Sequence, residues 1–221
     1  MSTEARQDWL APVRPWQSLT RGNSRSLLTA RASVLERPGM HFAMLYRNEN
    51  FNLLKALVEA IDARLDKLDL DCEACPDAYG WGLWDIGEAL CGMGFVACQQ
   101  YITAVASDWK RSKQDALSCG PLHSCGAHLV AIVNDAANAW KHSDEWSLSD
   151  SPSKQTKRTL DGLSRIVPED TNCEYVLAEI LSRLSEPEQK GRFRNLLPLL
   201  SEWADDLRRK YPTPAHYGAT P

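Results

Sequence analysis

From Leu83 to about Gln114 the chain reads as one continuous helix, and no other feature limits its fold so strongly. Roughly thirty residues rising 1.5 Å each make a rod of about 45 Å. Whatever else the chain forms must pack along that rod. Gly87, Gly92 and Gly94 lie inside it, where a glycine costs about 1 kcal/mol relative to alanine. Their presence predicts either a break near Gly92 and Gly94 or close backbone approach to a neighbouring element.

The rest of the chain is helical in pattern too. Phe51, Leu54, Leu57, Val58, Ile61, Leu65 and Leu68 recur at helical spacing, predicting a helix from Asn50 to Leu68. Asp69–Gly80, Leu117–Gly126 and Ser143–Ser153 read as connections. A helix ending at His142 carries the central polar motif, and further helices are expected over Lys154–Val167, Cys173–Leu184 and Glu186–Tyr211. Pro198 is expected to kink the last of these, and Arg208, Arg209 and Lys210 suit the negative end of its dipole. Sustained period-2 runs and Asn-Gly or Asp-Gly hairpins are missing. The fold class is therefore all-α, a helical bundle built on one long helix antiparallel to the motif helix. Residues 1–40, punctuated by Pro12, Pro15 and Pro38 and basic through arginine alone, read as an N-terminal Arg-rich arm. Residues 41–211 form the helical bundle domain and 212–221 a flexible tail.

A chain of 221 residues with 43% hydrophobic content can bury a sizeable core. Its formal charge of −4 excludes a general polyanion-binding surface but leaves room for a local one. The N-terminus lacks an apolar leader, and no run of about 18 apolar residues occurs, so a cytoplasmic protein without a membrane contact is expected. The seven cysteines, an odd number, are then expected as reduced thiols.

Candidate chemistry gathers on Asn134–His142. At 100° per residue, His128, Asp135, Asn138 and His142 fall within about 80° of one another, with Leu129, Ile132, Val133, Ala136 and Trp140 roughly opposite. On the long helix Asp85, Glu88, Gly92 and Gln99 share a stripe about 60° wide. Facing each other, the two stripes would line a polar groove, with His128, Glu88 and Gln99 as substrate contacts. The alternative is two solvated helix faces. Asp135 and Asn138 favour the groove, since short polar side chains compete for backbone hydrogen bonds and suit a mid-helix solvent face poorly. The imidazole of His142 is a side chain that can serve as acid, base or phosphate ligand; alternatively it and Lys141 complement the helix dipole.

Cys72-x-x-Cys75 and Cys119-x-x-x-His123-x-Cys125 carry the donor types of a zinc site. They fall before and after the long helix, about 45 Å apart, so neither metal nor cofactor is expected. Gly-rich phosphate loops, His-Glu-x-x-His and nucleophile elbows do not occur.

The motif Asp135-x-x-Asn138-Ala139-x-Lys141-His142, preceded by a long helix reaching Ser107-Asp108-Trp109, resembles a group of uncharacterised bacterial helical proteins. Those carry an Asp-x-Ala-Asn-x-x-Lys-His helix end and are in turn similar to the HEPN superfamily of α-helical domains. The resemblance covers about residues 50–145. It implies a HEPN-like bundle, usually a homodimer, with RNA-processing or toxin and phage-defence roles. His142 would be the general acid/base, Lys141 would stabilise charge developing on phosphate, and Asn138 would orient the imidazole, with Asp135 beside them. Active HEPN nucleases place an arginine shortly before the histidine; here Asp135, Ala136 and Ala137 occupy that spacing, so only His142 matches. The other reading is a non-catalytic module binding a protein partner or an anion.

Overall fold

The computed structural model describes residues 40–109, 111–147, 153–168, 173–185 and 189–211. The Arg-rich arm and the tail from 212 lie outside the described residues. Among these residues the chain is helical, without a named strand, and its single isolated bridge pairs Leu122 with His128. We number the helices α1 (Met40–Ala74), α2 (Leu83–Asp108), α3 (Lys113–Leu117), α4 (Leu129–Ser147), α5 (Lys154–Ser164), α6 (Val176–Arg183) and α7 (Leu197–Lys210), with a 3₁₀ turn over Phe193–Leu196.

Helix α2 is the centre of the bundle. It packs against α1 on one side and α4 on the other, with α6 also against it. Phe95, Cys98, Ile102 and Val105 are fully buried there. By length and composition α2 could cross a membrane, and 61% of its most apolar stretch is buried against the surrounding helices. It runs unbroken through Gly92 and Gly94. A Cβ on Gly92 would stand 2.1 Å from the Trp140 ring of α4, and one on Gly94 2.2 Å from the ring of Phe193. Both glycines therefore serve as seats for aromatic rings, and the alternative of a break is not what the chain does.

Several boundaries differ from the sequence expectation for identifiable reasons. Helix α1 continues through Asp69 and Asp71, read as a connection. Asp71 pairs with Lys67 at 3.0 Å and Arg64 at 3.5 Å, while Asp69 meets Lys190 at 2.9 Å. Helix α2 stops at Asp108 instead of near Gln114. The next turn is a separate helix whose cap, Ser112, accepts the backbone N–H of Asp115 at 3.1 Å. Helix α4 runs past His142 to Ser147. Pro198 does not kink a long helix; it sits in the first turn of α7, where its missing N–H has no intrahelical acceptor to lose.

Far-apart segments are joined by an acidic ladder on α1. Asp62, 1% exposed, accepts the backbone N–H groups of Phe193 and Arg194, both at 2.9 Å. Asp66 takes Arg192 and Arg194 at 2.8 Å each, and Asp69 takes Arg192 and Lys190. One helix face thus fixes the 3₁₀ turn that carries Phe193 into Gly94.

The seating of Phe193 gives a direct test. Gly94→Ala gains up to about 1 kcal/mol of helix propensity, yet the added methyl overlaps a ring held from the other side. Urea unfolding is expected to show a net loss of about 1–3 kcal/mol. A variant as stable as the parent would show that α2 and Phe193 are not in contact.

Candidate functional site

A buried amide must find partners, and Gln99, 2% exposed on α2, finds them on α4. Its Nε2 donates to the side-chain oxygens of Asn134 and Asn138, both at 2.9 Å, and lies 3.2 Å from the Asn134 carbonyl oxygen. Lys141 Nζ donates to Gln99 Oε1 at 2.6 Å. Asn138 and Lys141 are thereby committed to the helix–helix contact. Gln99 of α2 and Asn138 of α4 thus meet within the helix–helix contact.

Asp135 turns the other way, towards α5. Its carboxylate packs on Gly162, where a Cβ would come within 2.3 Å of Oδ2. Burial pushes its pKa up to about 6, against the opposing pull of the Asn134 amide and of Arg158, Lys113 and Arg165. The groove it walls, about 450 Å³, runs between α4 and α5 and is lined from α5 by Lys154, Lys157, Arg158, Asp161 and Arg165.

The local sequence explains why these charges converge. Ser153 caps α5 by accepting the N–H of Thr156 at 3.0 Å. Positions 154, 157, 158, 161 and 165 then recur on one face, while Thr156, Thr159 and Leu163 are buried on the other. Lys113 joins from α3. Desolvation lowers its pKa, the Lys141 charge adds to this, and Asp135 opposes it. Arg158 donates to Gln114 at 3.1 Å, and none of Lys113, Lys154, Lys157 or Arg165 forms an ion pair among the described residues.

The remaining expected site residues are placed elsewhere. His142 is half-exposed, with Nδ1 3.0 Å from the Glu145 carboxylate, and does not line the Asp135 groove. His128 precedes α4, and its Nδ1 lies 3.0 Å from the Gly120 carbonyl oxygen, tying down the preceding loop. Glu88 caps α6 from outside, accepting the N–H groups of Leu177 at 2.8 Å and Ala178 at 3.0 Å. Burial raises its pKa despite those two bonds. The two expected stripes are thus divided among several neighbours. Sequence reasoning missed the cations of α5, although their spacing was there to read. Among the described residues, no three His, Cys, Asp or Glu side chains gather as a metal site. Cys119 donates to the Asp115 carbonyl oxygen at 3.3 Å, and His123 Nε2 lies 3.3 Å from that of Arg183.

No protein family, curated protein or solved structure was found to match the chain.

The raised pKa of Asp135 has a definite sign. The unfolded carboxyl loses its proton near pH 3.8 and the folded one near 6, so across that interval rising pH favours the unfolded chain. Asp135→Asn is therefore expected to stabilise the protein by about 1–2 kcal/mol at pH 7.5, screening included, and by little at pH 3.5. Chemical denaturation at both pH values checks this; an effect of equal size at both contradicts it.

Proposed function

We propose that this chain is a non-catalytic, phosphate-binding helical module whose site is the groove between α4 and α5. The observation that carries the reading is the set of cations Lys154, Lys157 and Arg165 in one groove, none of them in an ion pair among the described residues, with Lys113 near enough to act on Asp135. Lysine supplies point charges and arginine a planar fork, both matched to phosphate oxygens. A volume of about 450 Å³ suits a small ligand or a few linked phosphates. Among the described residues no aromatic side chain lines the groove, so the proposed recognition rests on the phosphates. The cations outweigh Asp135 and Asp161, and Asp135 takes up a proton close to neutrality.

The HEPN-like reading suggests RNA as one bearer of such phosphates, with a backbone lying over α5. Cleavage by His142 draws less support. Its partner is Glu145, while Asn138 and Lys141 are occupied by Gln99.

Calorimetric titration with tripolyphosphate, and separately with a short single-stranded RNA, tests the module. Binding is expected to weaken at least tenfold in Lys154→Ala/Lys157→Ala. For the RNA, each lost cation should flatten the slope of log K against log salt by about 0.7. His142→Ala should bind like the parent. Absence of binding, or equal binding by the double variant, removes the proposal. Metal-free RNA cleavage that disappears in His142→Ala would establish the nuclease reading in its place.

A further inference from the structure

A second cavity, about 550 Å³, lies between α1, α2 and α6, apart from the phosphate groove. Leu65, Leu68, Leu83, Cys91 and Leu181 give it apolar walls. Trp84 stands at its edge, 51% exposed, with its ring 5.8 Å from that of Tyr175. On the preceding turn Tyr79 and Trp81 are more exposed still. Large exposed aromatic surfaces beside an apolar cavity mark a candidate ligand site.

Among the described residues, the charges at this mouth are of one sign once internal pairs are removed. Lys190 and Arg192, which reach the cavity, are matched to Asp69 and Asp66. Glu73 and Glu88 line the cavity, and Asp85 and Glu174 act electrostatically on the Tyr175 hydroxyl. Glu73, Asp85 and Glu174 have no cationic partner among the described residues. Burial first, then Asp85, Tyr79, Glu174 and Glu88, raise the Tyr175 pKa, which reports the negative character of its surroundings.

We propose that this cavity binds a small organic cation with an apolar body, of the aryl-alkyl quaternary ammonium class, its charged head at the Trp84 and Tyr175 rings and its apolar part against Leu65, Leu68 and Leu181. Ring faces attract a cation through their quadrupole, and the unpaired carboxylates add an attraction no neutral ligand receives. A neutral molecule of the same shape gains only the burial. This site is independent of the phosphate groove.

The test is calorimetric titration of the full chain with benzyltrimethylammonium and, as neutral counterpart, benzyl alcohol. The cation is expected to bind saturably and at least tenfold more tightly than the alcohol. Trp84→Ala should weaken it at least threefold. So should Asp85→Asn/Glu174→Gln, which changes only exposed carboxylates and so keeps the test meaningful if the tryptophan variant loses its helical circular dichroism. Equal affinity for cation and alcohol, no saturable heat, or a folded variant of either kind binding like the parent overturns the proposal.

Discussion

A helix buried along most of its length tolerates a polar side chain only where a neighbour satisfies it, and on α2 that side chain is Gln99. The constraint reaches across the bundle. Asn134, Asn138 and Lys141 must face α2 to meet the amide, which fixes the rotation of α4 about its axis. Trp140 then lies over Gly92, and Asp135 points away, towards α5. One buried amide thus decides which polar residues of α4 are used up in holding the fold and which is left for a groove.

Charge is handled in two contrasting ways on the two sides of the molecule. On α1, Asp62, Asp66 and Asp69 meet Lys190, Arg192 and Arg194 and two backbone N–H groups, so the cations of that segment are consumed in fixing the 3₁₀ turn. On α5 the cations face a groove whose principal carboxylate, Asp135, carries a pKa that burial raises to about 6. Clusters of Lys and Arg on the two segments therefore have opposite meanings. What separates them is whether an acidic helix lies across from them, and on that distinction the functional reading rests.

Much of the architecture was legible in the sequence. Helical periodicity gave the all-α class, and the costly glycines of α2 pointed to close approach, which Trp140 and Phe193 make. Helix ends were less legible. The extension of α1 through Asp71 depends in part on Lys190 and Arg192, more than a hundred residues away in the chain. The polar stripe of α4 was visible, but its division was not, because Asn138 and Asp135 differ only in which helix lies opposite each. Glu88 looked like part of a groove wall and is a cap for α6, a role set by a backbone turn that local sequence does not encode. The face formed by Lys154, Lys157, Arg158 and Arg165 was written plainly in the spacing; its significance required α4 and Asp135 to be placed across from it.

The division of α4 into a structural side and a binding side can be examined residue by residue. Tripolyphosphate titrated into ¹⁵N-labelled protein, followed by amide chemical shifts, reports which side the ligand touches. The account requires the largest shifts at Asp135, Lys157, Gly162 and Arg165, with Gln99, His142 and Glu145 nearly still. Shifts centred on His142 and Glu145, with α5 unmoved, would contradict it.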